Sequence, residues 1–169
     1  MKRLLLAAAL SLLTAGSAMA QTVILVRHAE KTVGGSDPVL SEAGEARAEA
    51  LAARLSNTHI DAILTSPLQR TRQTALPSGL AHSVEAEAVP LDGGTEAHVA
   101  AVVARIRALG EDATVLVVGH SNTVPLIARA LGQQTPDMPE CEYDRLITLN
   151  MEGGGVMGVT MRYGAPSSC

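Results

Sequence analysis

The chain has no phenylalanine, no tryptophan and only two tyrosines, Tyr143 and Tyr163, among its 169 residues. A core must therefore be built from Ala, Leu, Val, Ile and Met. Stacking platforms for bases or sugar rings are poorly supplied. Positive charge is also scarce, with 13 Lys and Arg against 17 Asp and Glu. That balance argues against nucleic acid or an anionic membrane surface as a partner. Any anion the protein takes must meet a local cationic pocket. The apolar stretch Leu4 to Leu13 is ten residues long, about half of the ~20 that a spanning helix needs. Cysteine is limited to Cys141 and Cys169. Their spacing, without a nearby His, does not fit a zinc site.

What the N-terminus does have is an export pattern. Lys2 and Arg3 precede the short apolar stretch, and Ala18-Met19-Ala20 offers a small-x-small cleavage site before Gln21. Residues 1–20 are read as a signal peptide and 21–169 as one domain, periplasmic or secreted, with no stable membrane insertion after cleavage. No Cys follows the cleavage site, which disfavours a lipid anchor. Loss of Lys2 and Arg3 takes the formal charge from −4 to about −6. In an exported chain Cys141 and Cys169 can pair and tie the tail to a loop; the alternative is two free thiols.

The mature chain alternates apolar runs with amphipathic stretches. Strands are expected at 22–27, 60–65, 83–89 and 114–118, and a hairpin at 145–150 and 156–162 across Gly153-Gly154-Gly155. Helices are expected from Ser41 to about Leu55, from Ser66-Pro67 to just before Pro77, over 95–109, and from 121 to about Leu131. Ser41 is the expected cap of the first, with Glu42 and Glu45 in its opening turn. Ser66 is the expected cap of the second, with Pro67 at its first position. The pattern predicts a three-layer α/β/α sandwich around a mostly parallel sheet, without internal repeats.

That architecture has a positional consequence. Ligands of open α/β sheets bind outside the carboxyl ends of the strands. Arg27-His28, Ser66 leading to Arg70, and His120 all follow such ends. Two imidazoles and two guanidiniums thus converge on one edge, where forked donors suit a phosphoryl group and a neutral imidazole can attack it. Arginine neighbours disfavour a metal cation, and no metal or other cofactor is expected. A serine hydrolase is disfavoured because Gly119-His120-Ser121 puts His where a nucleophile elbow wants Ser. Arg72 is expected at the surface. Lys31 is either a guide for an anion or a solvated charge. Ser121 and Asn122 either cap a helix or lend its first amides to phosphate. Glu30 either orients an arginine or has no role. His59, His82 and His98 are expected in loops or at the surface.

Four segments carry a family resemblance: Arg27-His28-Ala29-Glu30, Leu40-Ser41-Glu42-Ala43-Gly44, Thr65 to Ala75 (TSPLQRTRQTA) and Val118-Gly119-His120-Ser121-Asn122. In this order, from about 22 to 132, they resemble the histidine phosphatase superfamily, whose fold is the phosphoglycerate mutase-like one. Tyr143-Asp144-Arg145-Leu146 also resembles short, exported members. The resemblance implies a phosphomonoester hydrolase in which His28 forms a phosphohistidine, with Arg27, Arg70 and His120 around the phosphoryl oxygens. The other nitrogen of His28 would be held by an acceptor, with a carbonyl of the glycine loop as the candidate. A carboxylate would protonate the leaving oxygen. Asp92 is the first candidate, followed by Glu96, Glu85 and Glu87. The large insertions of bigger members are missing, which implies a shallow, open pocket suited to a broad range of substrates or to a phosphate on a large molecule; a small-molecule or sugar phosphomonoester is the expected substrate. A mutase-type phosphotransferase and a non-catalytic phospho-ligand module are the alternative readings.

Overall fold

In the computed structural model, which describes residues 20–169, six strands form one sheet. The elements run β1 (Gln21–Arg27), α1 (Glu42–Leu55), β2 (Ala62–Thr65), α2 (Gln69–His82), β3 (Ala86–Ala88), α3 (Gly94–Ala108), β4 (Thr114–Gly119), α4 (Val124–Ala130), β5 (Arg145–Glu152) and β6 (Gly155–Arg162). Most of the expected signal peptide, residues 1–19, lies outside the described residues.

The strand order is β3-β2-β4-β1-β5-β6. The first four are mutually parallel, and β5 and β6 add an antiparallel hairpin at one edge. Alternation along β1 explains the layers. Val23 and Leu25 face α3 and α4, packing with Val102, Ile106, Val124 and Ile127. Ile24 and Val26 face α1 and α2, packing with Leu51, Leu55 and Ala75. A strand buried on both faces must be apolar at consecutive positions, so the unbroken run 23–26 follows from its central place. This is the expected α/β/α sandwich.

Two expectations about α2 need correction. Ser66 does not cap it: Leu68 occupies that position without a side-chain cap, and the helix opens at Gln69. The Asp37 carboxylate accepts from the Gln69 amide at 3.0 Å and supplies the cap from a distant loop. The helix also continues through Pro77. Proline has no N–H for the Gln73 carbonyl and costs about 3 kcal/mol inside a helix. Burial of Thr71, Thr74, Ala75 and Ser78 against α1 and the sheet outweighs that cost. The expected strand at 83–89 shortens to the three residues of β3, a largely exposed edge.

Two glycines set close approaches. A Cβ on Gly44 would stand 2.0 Å from the Glu30 carbonyl oxygen, so glycine lets α1 start against the loop after β1. A Cβ on Gly119 would stand 2.8 Å from Thr123 Oγ1, inside the turn that leads from β4 to α4.

Cys141 and Cys169 form a disulfide. It fastens the C-terminal tail to the loop between α4 and β5, and Ser167 adds hydrogen bonds to the Tyr143 and Asp144 amides at 2.8 and 3.1 Å. With the cysteines 28 positions apart in sequence, loop-closure reasoning gives it a worth of about 3.5 kcal/mol. Reduction should therefore lower the urea midpoint measurably. An unchanged midpoint would show that the crosslink does not stabilise the fold.

Candidate active site

The order β2-β4-β1 puts three parallel carboxyl ends side by side. Arg27 ends β1, His28 follows it, and the His28 amide continues the ladder to the Gly119 carbonyl at 2.9 Å. Ser66 follows β2, Arg70 lies in the first turn of α2, and His120 follows β4. These elements enclose a cleft of about 410 Å³ lined by Arg27, His28, Lys31, Arg70, His120 and Glu140, among others. A larger hollow of about 720 Å³ runs along the outer side of α2 past Arg72, Leu76 and Leu80, and holds none of these groups.

The two imidazoles meet edge to face with ring centroids 5.3 Å apart. His28 Nδ1 lies 2.8 Å from the Ala29 carbonyl oxygen. A carbonyl only accepts, so Nδ1 carries the hydrogen and Nε2 keeps its lone pair. The partner is thus the adjacent residue, not the glycine loop. Burial is the main reason the His28 pKa falls to about 4; Arg27, Arg70 and Lys31 add to the fall, and the Ala29 bond opposes it. Burial followed by His28, Arg70, His98 and Arg27 lowers that of His120 to about 3. Both rings are neutral at pH 6–7.

Ser66 has a part that its expected capping role concealed. Its Oγ is buried 2.9 Å from His120 Nε2 and 2.9 Å from Thr71 Oγ1. Thr71 Oγ1 also lies 2.8 Å from the Leu68 carbonyl, which takes its one proton. Ser66 Oγ then has one proton for two neighbours; given to His120 Nε2, it leaves the hydrogen of the neutral ring on Nδ1, available to a ligand.

Arg27 is 2% exposed. Its Nη1 donates to the carbonyls of Pro139, Glu140 and Glu142 at 3.1, 2.7 and 3.2 Å, and Nη2 donates to the Glu140 carboxylate at 2.7 Å. The guanidinium lies 4.2 Å from the centre of the Tyr143 ring. Arg70 is less committed, with Nη1 3.7 Å from Asp37 Oδ1. The Nε–H groups of Arg27 and Arg70 are both buried without a hydrogen-bond partner, donors that an oxyanion would satisfy.

The remaining residues of the TSPLQRTRQTA segment hold the loop after β1. Thr74 Oγ1 accepts from the Ala29 amide at 2.9 Å, and Gln73 Oε1 accepts from the Leu40 amide at 2.8 Å. Glu30 orients Arg47, not a cleft arginine, through contacts of 2.6–3.1 Å. Arg72 is exposed, as is Lys31 at the cleft. Ser121 and Asn122 line the cleft but do not open a helix as expected: they lie in the turn before α4, whose N-cap position is Thr123. His59 is exposed, but His98 is buried on the inner face of α3 with Nδ1 2.9 Å from the Pro90 carbonyl, contrary to its expected surface position.

None of the four carboxylates singled out in the sequence lines the cleft. Asp92, Glu96, Glu85 and Glu87 are exposed, and Glu87 pairs with Arg105. Asp92 stands between Leu91 and Gly94, which do line it. The carboxylate in the cleft wall is Glu140, which sequence reasoning passed over inside a polar loop. Among the described residues no cluster of three or more His, Cys, Asp and Glu is placed to hold a metal ion.

A doubly covered α/β sheet thus carries paired histidines and arginines at its carboxyl edge, a donor set suited to a phosphoryl group. The model of the histidine phosphatase superfamily (branch 1) matches residues 23–91. A phosphoserine phosphatase 1 from Hydrogenobacter thermophilus is 46% identical over 70 residues, covering 37% of this chain and 33% of that protein. The chain thus spans about one third of the length of this curated relative. The structure of the protein histidine phosphatase SixA complexed with tungstate superposes with a TM-score of 0.68 at 22% identity, over 83% of this chain and 96% of that one. A phosphoglycerate mutase from Bacillus anthracis str. Sterne gives 0.65 at 14% identity, over 85% and 93%. At such identities these two structures carry the fold alone. Residues 23–91, less than half of the chain, thus resemble the histidine phosphatase superfamily (branch 1).

Proposed function

We propose that the protein hydrolyses small phosphomonoesters through a phosphohistidine on His28. The observation that carries this is the pairing of a neutral imidazole, its Nδ1–H held by Ala29, with the unsatisfied guanidinium donors of Arg27 and Arg70 in one cleft. His28 Nε2 attacks phosphorus, the bond to the leaving oxygen breaks, and the equatorial oxygens are held by Arg27, Arg70 and His120. Water then attacks the phosphohistidine, releasing phosphate and restoring the imidazole. The arginines supply the charge stabilisation, so no metal step is needed. Asp92, at the cleft rim, is the proposed proton donor to the leaving oxygen. The export pattern of residues 1–20 and the disulfide support a periplasmic or secreted place of work. The acidic overall charge supports a small substrate over nucleic acid.

The test is hydrolysis of p-nitrophenyl phosphate and a panel of natural phosphomonoesters in excess EDTA. Activity is expected to persist without metal. Since protonation removes the nucleophile, and the His28 pKa is pulled down to about 4, the acid limb of kcat/KM should fall near pH 4, not near the ordinary 6.5. Inactivation by EDTA, or an acid limb near 6.5, would contradict this mechanism.

A further inference from the structure

We infer that Glu140 is a specificity-determining gate, a carboxylate that holds the anion-binding groups of the cleft and must be displaced by an incoming phosphate. The inference rests on the phosphatase reading insofar as it takes phosphate to be the cleft's ligand. Glu140 is the sole Asp or Glu among the residues lining the cleft. One carboxylate oxygen takes Arg27 Nη2 at 2.7 Å, and the other accepts from Ser121 Oγ. A carboxylate so placed makes the contacts that two phosphoryl oxygens would make. The Ser121 bond, together with Arg27 and Lys31, holds its pKa below the usual carboxylate range. In this position Glu140 is therefore a charged competitor and not a proton donor.

Two features make displacement local. The Glu140 side chain is 82% exposed, so it can swing into solvent without opening the core. Its backbone stays fixed, because the Glu140 carbonyl accepts from Arg27 Nη1 at 2.7 Å and the next residue is tethered by the Cys141–Cys169 disulfide. A phosphomonoester dianion brings twice the charge of a carboxylate and more acceptor oxygens, so it can displace Glu140 from Arg27 and Ser121. A monoanion has no such charge advantage. Every ligand's affinity is reduced by the fraction of molecules in which the gate is open.

The experiment is calorimetric titration of the full chain with inorganic phosphate, for wild type, Glu140→Gln and Glu140→Asp. Glu140→Gln keeps the shape and removes the charge. It should bind phosphate about tenfold tighter, as expected if roughly one molecule in ten is open in the wild type. Glu140→Asp, with a shorter carboxylate, should fall between them. In turnover the gain should appear as a lower KM and not as a higher kcat. Unchanged or weaker phosphate binding by Glu140→Gln, with the wild type binding normally, would overturn the gate alone. So would a loss of kcat on alkyl phosphates with phosphate affinity unchanged, the signature of a general acid. Absence of phosphate binding in all three proteins would overturn the gate and the phosphatase reading together.

Discussion

Replacing His28 by asparagine is expected to remove turnover of every phosphomonoester, by about a thousandfold or more in kcat. Asparagine keeps a polar group of similar reach for the Ala29 carbonyl but offers no nucleophilic lone pair. His28 sits at the end of β1, and among the described residues its side chain has no hydrogen-bond partner except that neighbouring carbonyl, its ring otherwise meeting His120 and Tyr143 edge to face, so thermal unfolding of the variant should stay close to wild type. Phosphate binding should survive, because the arginines and His120 remain. Loss of folding together with activity would mean that the residue serves the sheet edge. Retained activity would remove it from the chemistry. Both are read from one set of purified protein by circular dichroism and a phosphate-release assay.

The second large effect separates the two arginines. Arg27→Met should cost about 3 kcal/mol of stability as well as activity, whereas Arg70→Ala should cost activity with stability changed by less than about 1 kcal/mol. Arg27 is buried, and one of its nitrogens serves three carbonyls of the loop between α4 and β5. Methionine fills similar volume but leaves those carbonyls without a donor. The pair with the exposed Glu140 contributes little of this cost, since solvent screens it. Arg27→Lys should rescue poorly, because an ammonium cannot reproduce the fork. Arg70 makes only the loose contact to Asp37 at 3.7 Å. Loss of either guanidinium should lower kcat/KM roughly a hundredfold or more, as one removed transition-state donor does elsewhere. Equal unfolding midpoints for the two variants would refute the loop-holding role of Arg27.

The parts of this site that were legible in the sequence share a physical reason. The runs 23–26 and 115–118 are continuous because their strands are buried on both faces, and parallel strands necessarily bring Arg27-His28 and His120 to one edge. Ser41 as a cap was legible because its partner, the Gly44 amide, is three residues away. What the sequence concealed depends on distant returns of the chain. Asp37 caps α2 from 32 residues before its start, which left Ser66 free to hold His120. Pro77 marks a helix end by local rules, but burial of α2 overrides them. His98 is polar by type, yet the Pro90 carbonyl satisfies it inside the core. Glu140 lies 113 residues from Arg27 in sequence, within a loop of no periodicity, and only the folded chain puts it in the cleft. The adjacent Cys141 was the one local mark that this loop is fixed in place.

The phosphohistidine itself is the most direct test of the proposed mechanism. Wild-type protein mixed with a 32P-labelled phosphomonoester and quenched in alkali within milliseconds to seconds should carry label on the peptide containing His28. That label should be stable in base and lost in acid, as a phosphorus–nitrogen bond requires. It should be missing from His28→Asn and should decay at the rate of phosphate release. Turnover without any labelled peptide, or label on a residue other than His28, would contradict nucleophilic catalysis by His28.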